Sequence, residues 1–376
     1  MSSPSPAFDV LPDVLAQLVM QSLQLRELVQ FARCSRRLLT QADSAFAFKH
    51  VQPVTFRWSA NGQRLFSKLL RRIPVKFRPN IDPDDRAAMD ALLAQLDSFQ
   101  LYELDTTELS LPLRQCVRLL EHSAMQSVQV LALEGNEEWA SCAVLEAAAR
   151  LPKLHSVLML DTSEASLRPS VDSLCVLSAS PSLTSLSIHD YTFRFESLVA
   201  ALVGFPQLAH LTVKQPSIYD ERWVAQFASP GLCNLISLTF DWCLFNGPLD
   251  GENPVQPEHA DAVFTSLTQL TSLQIKMPFG VDVFLPSIRC AAALRSLRIE
   301  ANCDPEDEYA PRVLPSFAVL HPLMIAKPVL RIELDLRDHT SPLRDEYLPS
   351  LAADFAGVSA EVRDRLTVLY EKPLWI

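Results

Sequence analysis

The chain has 376 residues, 44 acidic against 33 basic, a formal net charge of −11 and 48% apolar residues. That is ample material for a core, and the acidic balance argues against a nucleic-acid binder, which ordinarily presents a basic face. The longest apolar runs, such as Leu198 to Phe205, fall far short of the ~20 residues that span a bilayer, so no membrane segment is expected.

Residues 1–7 are rich in Ser and Pro and are predicted to be disordered. They show neither the basic segment nor the apolar stretch of a secretory signal, so an intracellular location, cytoplasmic or nuclear, is expected. Over residues 8–50, Leu11, Val14, Leu15, Leu18, Val19, Leu28, Phe31, Ala32 and Leu38 recur at helical spacings. Pro12 followed by Asp13 suits a first helical turn, and Leu23-Gln24-Leu25 reads as a break between two short helices. This all-α module is small to be stable alone.

From residue 51 the pattern changes. Val51, Val54 and Phe56 mark a first strand, and a unit L-x-x-L-x-L then recurs. Its clear copies centre on Val128, Val157, Leu186, Leu211, Leu238, Leu273 and Leu297, with gaps of 29, 29, 25, 27, 35 and 24 residues. The apolar residue three positions earlier is Met125, Leu154, Leu183, Leu208, Leu235, Leu270 and Leu294 in turn. Weaker copies stand at Val54, Ile73, Phe99 and Ile332. The alternating part reads as a short strand with one buried face, which four or five residues cannot bury alone but stacked copies can. The spacing matches the leucine-rich-repeat period of about 20–29 residues.

Return segments with helical periodicity, such as 62–72, 83–96, 137–150, 195–203, 221–228, 258–267 and 281–292, separate the strands. The predicted fold is α/β: a leucine-rich-repeat solenoid over residues 51–340. It has parallel strands on the concave face and helices on the convex face, and the small helical module precedes it. Residues 341–376 are expected to form a helical cap. Two stretches break the period: Phe245 to Pro257, rich in Gly, Pro and Asp, and Cys303 to Pro328, with the acidic run Asp304, Glu306, Asp307 and Glu308. Such insertions are either binding loops on one rim or tolerated surface additions, and the sequence leaves both open.

No catalytic constellation stands out. The sequence holds no G-x-S-x-G, no phosphate-cradling glycine loop and no H-E-x-x-H. None of the eight cysteines forms C-x-x-C or has a histidine at metal-ligand spacing. No enzymatic activity, metal or cofactor is therefore expected, and the cysteines are expected to be reduced. Cys243 and Asn302 follow their strands where leucine-rich repeats place Cys or Asn in the turn. The cluster Lys68 to Lys76 reads as a solvated helix end and strand edge.

Strand alternation puts Gln129, Leu131, Leu158, Leu160, His189, Lys214, Asp241, Lys276 and Arg298 on the concave face as the candidate target-binding residues. Leu131, Leu158 and Leu160 form an apolar spot there. It either anchors a partner or lies under a helix or loop.

The N-terminal module resembles an F-box. The resemblance rests on Leu11-Pro12-Asp13-Val14-Leu15, on Arg26-Glu27-Leu28-Val29 at the middle step, and on Cys34-Ser35-Arg36-Arg37-Leu38 at the end. It covers about a tenth of the chain, and its position directly before leucine-rich repeats is the arrangement of F-box leucine-rich-repeat proteins. Val14 departs from the frequent acidic residue, the usual proline before the middle step is absent, and Leu38 stands where Trp is common. The resemblance implies a substrate-recognition subunit of a Skp–cullin–F-box ubiquitin ligase, monomeric outside that complex. Leu11, Pro12, Leu15, Leu18, Val19, Leu28 and Leu38 would dock on the Skp-family adaptor, and the repeats would hold a target protein. The alternative is a leucine-rich-repeat scaffold or regulator whose N-terminal helices only cap the stack.

Overall fold

A computed structural model of the chain describes residues 54–58, 74–79, 86–97, 100–106, 111–134, 141–160, 171–189, 201–214, 230–241, 257–277, 285–301, 315–336 and 342–369. The F-box-like segment, with Leu11, Pro12, Leu15, Leu18, Val19, Leu28 and Leu38, lies outside them, as do Cys243, Asn302 and the acidic run at 304–308. The chain divides into two compact units, Met1–Glu134 with Leu151–Leu154, and Gly135–Arg150 with His155–Ile376.

In the first unit four strands pair in parallel: β1 (Val54–Trp58), β2 (Pro74–Pro79), β3 (Gln100–Asp105) and β4 (Val130–Glu134). Helix α1 (Arg86–Leu96) joins β2 to β3, and α2 (Leu113–Leu120) with a 3-10 turn (Ser123–Ser127) joins β3 to β4. Val75, Phe77, Leu101, Leu104, Leu131 and Leu133 from the strands are buried, as are Met89, Leu92 and Leu96 of α1 and Leu119 and Leu120 of α2. Each such side chain contributes about 1.5–3 kcal/mol by leaving water. Strand β3 has a bulge: Val75 pairs with Leu101 but Lys76 pairs with Glu103, so Tyr102 is the extra residue. Phe99, expected to centre a copy here, lies outside the described residues, and the buried pair is Leu101 and Leu104.

The second unit carries eight parallel strands: β5 (Ser156–Leu160), β6 (Ser185–His189), β7 (His210–Lys214), β8 (Ser237–Asp241), β9 (Ser272–Met277), β10 (Ser296–Ala301), β11 (Arg331–Asp335) and β12 (Leu366–Leu369). From β5 to β11 the register is unbroken: Val157, Leu186, Leu211, Leu238, Leu273, Leu297 and Ile332 are successive partners. Strand β5 follows α3 (Cys142–Ala149), and the later returns include α4 (Val171–Leu177), α5 (Pro257–Ser266) and α6 (Phe317–Ala326). The segment 281–292, expected to be helical, holds a 3-10 helix at Leu285–Cys290. This coil is the shortest of the second unit, 24 residues from Leu273 to Leu297. A 3-10 helix rises about 2.0 Å per residue against about 1.5 Å for an α-helix, so it spans the return with fewer residues.

Two backbone devices repeat from coil to coil. In the first, a single carbonyl accepts two N–H groups of the next coil. His155 O takes Thr184 and Ser185, Thr184 O takes Ala209 and His210, and Ala209 O takes Ile236 and Ser237. Ile236 O then takes Thr271 and Ser272, and Thr271 O takes Arg295 and Ser296. The recurrent serine thus occupies the entry to β5, β6, β8, β9 and β10, while His210 and Arg331 hold that position in β7 and β11. In the second device a four-residue turn closes before the strand. Leu154 N–H donates to Leu151 O, Leu208 to Phe205, Leu235 to Leu232, Leu270 to Leu267 and Leu294 to Ala291.

That turn corrects one register. Val128 N–H donates to Met125 O at 3.0 Å, so Met125 and Val128 are the two turn residues of their coil rather than the start and centre of its strand unit. The strand residues that follow are Leu131 and Leu133, both fully buried, and Leu131 pairs with Leu104. The complete repeat is L-x-x-L-x-x-L-x-L. Its first two apolar positions have the same three-residue spacing as its second and third, so a frame displaced by one step matches nearly as well. With this correction the first clear gap becomes 26 residues rather than 29.

The C-terminal segment differs from a purely helical cap. Helices α7 (Pro342–Phe355) and α8 (Ala360–Arg363) are followed by β12, which pairs with β11 through Ile332↔Leu366 and Leu334↔Val368. Arg365 fastens this last coil: its Nη1 donates to Met324 O at 3.0 Å and to Lys327 O at 2.8 Å.

Candidate protein-binding face

Within β5, β6 and β7 the side chains alternate strictly between buried and part-exposed positions, with Leu186 and Ile188, for example, inside and Ser187 and His189 outside. Beyond the strand-entry row that runs from Ser156 to Arg331, the outside positions form two further rows across the second unit. By register one row runs Leu158, Ser187, Thr212, Thr239, Gln274, Arg298, Glu333 and Thr367. The other runs Leu160, His189, Lys214, Asp241, Lys276, Glu300, Asp335 and Leu369.

Leu158, Leu160, His189, Lys214 and Arg298 are part-exposed, as alternation predicts. Asp241 and Lys276 hold neighbouring register positions on β8 and β9. Leu131 is a correction: it is fully buried beneath β4, because the turn residues Met125 and Val128 displace the frame by three. The expected three-leucine spot therefore reduces to Leu158 and Leu160. Gln129 precedes β4 instead of lying within it; it is half-buried, and its N–H donates to Tyr102 O at 2.8 Å.

On β6, Ser187 Oγ lies 2.8 Å from His189 Nε2. Burial, with a smaller contribution from the charge of Lys214, lowers the His189 pKa to about 4. A hydroxyl beside an imidazole is the geometry of an activated nucleophile, but this ring is a weak base. Among the described residues no carboxylate orients its other nitrogen. The pair is suited to hydrogen bonding and not to proton abstraction.

On β10 and β11 an ion-pair group surrounds Arg298. Its Nη1 lies 3.1 Å from Glu333 Oε1, and its Nη2 donates to the Asp335 carboxylate. Its Nε lies 2.9 Å from Glu300 Oε1, in ion-pair range but off the hydrogen-bond line. Gln274 Nε2 donates to the same Glu300 oxygen at 2.7 Å. Sequence reading singled out Arg298 as a contact residue but not Glu333 or Asp335. The signal for those two was the alternation Arg331-Ile332-Glu333-Leu334-Asp335. In the first unit, Lys76 pairs with Glu103 in the same way, which absorbs one charge of the basic stretch at 68–76.

A shallow groove between α1 and α2 is lined by Asp90, Asp97, Arg118 and His122. Its charges answer one another: Arg118 Nη1 is 2.8 Å from Asp90, and Ser123 Oγ donates to Asp97 at 2.8 Å. Among the described residues, no group of three or more His, Cys, Asp or Glu stands where it could hold a metal ion, and no helix is long and apolar enough to cross a membrane.

No family model matches the chain. No curated protein matches it either. One solved structure similar to it is the crystal structure of a TLR13–ssRNA13 complex, at 14% identity and a TM-score of 0.38. That match covers 73% of this chain and 36% of the other, so this chain spans little more than a third of that protein's length. A likeness this loose leaves the strand register and the repeated turn as the grounds for the leucine-rich-repeat-type architecture.

Proposed function

We propose that the chain is a protein-interaction adaptor with no catalytic role, the substrate-recognition subunit of a Skp–cullin–F-box ubiquitin ligase. The observation that carries the adaptor reading is the pair of in-register rows on the open sheet face. Seven successive strands present such positions there in register, and the described residues at alternate positions, such as Leu186, Ile188, Leu273 and Ile275, are buried. A rigid parallel sheet of this kind positions many side chains for one partner at little conformational cost. The ligase reading is supported by the F-box-like spacing of Leu11, Pro12, Leu15, Leu18, Val19, Leu28 and Leu38 directly before the repeats. In this reading those residues hold the Skp-family adaptor, the open face holds the target protein, and the complex acts in the cytoplasm or nucleus.

Titrating the full chain with a purified Skp-family adaptor in a calorimeter tests it. The expected result is saturable binding that weakens at least about tenfold in the Leu11→Ala/Pro12→Ala variant, as for an apolar anchor at an interface. Absence of binding, or binding indifferent to that change, leaves a leucine-rich-repeat scaffold whose first helices only cap the stack.

A further inference from the structure

The open face of the second unit is unevenly charged. Strands β5 to β9 carry Lys214, Asp241 and Lys276, a net charge of one positive, with Leu158 and Leu160 at the β5 end. Strands β10 and β11 carry Arg298 and the exposed Arg331 against Glu300, Glu333 and Asp335, a net charge of one negative. Lys214 is part-exposed on β7, with His189 beside it in register on β6. Asp241 stands beside it in register, and Lys276 beside Asp241. The Asp335 side chain is only 8% exposed and Arg298 32%, so the acidic group is held in place by its own guanidinium and not by mobile surface chains. The Ser187–His189 pair contributes hydrogen bonds at neutral pH, since its imidazole is uncharged there.

We propose that this face binds one extended segment of a partner protein lying across the strands. In order, the segment carries an apolar side chain over Leu158 and Leu160, a carboxylate over Lys214, and a basic side chain over Glu300, Glu333 and Asp335. This rests on the reading of the open face as the target-binding surface and adds the charge order and chemistry of the occupant. Spacing sets the pattern. Neighbouring strands lie about 4.8 Å apart, so β5 to β7 is about 9.6 Å and β7 to β11 about 19 Å. A polyproline II segment advances about 9.3 Å per three-residue turn, one turn for the first step and two for the second. The matching segment is Leu-x-x-Glu-x-x-x-x-x-Arg. Charge complementarity of this kind selects the order of the two charges, because exchanging Glu and Arg sets like charges together at both positions.

The test is fluorescence anisotropy on the full chain with two labelled synthetic peptides, this one and its counterpart with Glu and Arg exchanged. The first should bind saturably, at least about tenfold tighter than the exchanged peptide, and weaken as salt is raised. Lys214→Glu should lose the first peptide and gain one with Lys in place of its Glu. Lys214→Gln, which carries no reversed charge, should give an intermediate loss. Unchanged thermal unfolding of both variants would exclude a folding defect. Equal binding of both orders, no saturation by either at millimolar concentration, or indifference to Lys214→Glu would overturn the proposal. Adaptor binding measured on the same preparation separates the two readings. An adaptor that fails to bind while the peptide order holds removes only the ligase role. An adaptor that binds while the peptide order fails removes only this inference.

Discussion

The ammonium of Lys327 donates to the carbonyl of Ala291, 2.5 Å away and 36 residues earlier, so that two residues holding the same turn position in successive coils are joined by a side chain. The coil before that has Leu267 at this position. Lys327 is therefore a charged residue in an apolar column, only 8% exposed. Burial pushes its ammonium below the ordinary lysine range, and nearby Cys290 pulls the other way.

Replacing Lys327 by Met should leave stability at neutral pH unchanged or raise it by about 1 kcal/mol. The methionine fills a similar volume without a buried charge, and Ala291 O keeps its bond from Leu294 N–H. The sign with pH follows from the lowered pKa. The unfolded chain holds this proton more tightly than the folded one, so wild-type stability should rise as pH climbs toward 10.5, the ordinary lysine value. Lys327→Met should lack that rise. Urea unfolding of both proteins at pH 7 and pH 10 measures it, and a large loss in the variant would show that the ammonium hydrogen bond outweighs its desolvation.

Gly231→Ala should destabilise the second unit. A Cβ at Gly231 would meet Val203 Cγ1 at 2.7 Å and Val203 Cα at 2.9 Å, so a rotamer change of the valine cannot clear it. Overpacking of this kind costs about 1–3 kcal/mol. Because part of the clash is with backbone, adding Val203→Ala should recover only a fraction of the loss. Thermal unfolding of the single and double variants decides this; full recovery would place the whole clash in the valine side chain.

His189 should titrate near pH 4 in the folded protein, against an ordinary value of 6.5. The unfolded chain then takes its proton first. The contribution of His189 is fully present above pH 6.5 and is lost as pH falls from 6.5 toward 4. His189→Gln, which keeps a hydrogen-bonding group toward Ser187, should flatten that part of the stability curve. Lys214→Gln should raise the His189 pKa only modestly, since burial is the larger cause. Imidazole NMR titration reads both, and a value near 6.5 in the wild type would remove this pH dependence.

Leu186, Leu211, Leu238, Leu273 and Leu297 announced their burial and their pairing in the sequence, because both depend on a spacing repeated within each coil and on alternation along a few residues. The part-exposed positions Leu158, Leu160, His189 and Arg298 followed from the same alternation. What local pattern could not decide was anything with two equivalent frames or a distant partner. The coil at Met125 satisfied the motif in a displaced frame, and only the turn bond from Val128 N–H and the pairing of Leu131 with Leu104 chose between them. Strand β12 joined the sheet through Leu366, although Arg363 stands where the repeat unit has its leading apolar residue. The grouping of Arg298 with Glu333 and Asp335, and of Lys327 with Ala291, joins residues 35 to 37 positions apart. Spacing along the chain sets which side chains leave water, whereas stacking alone determines which charges meet.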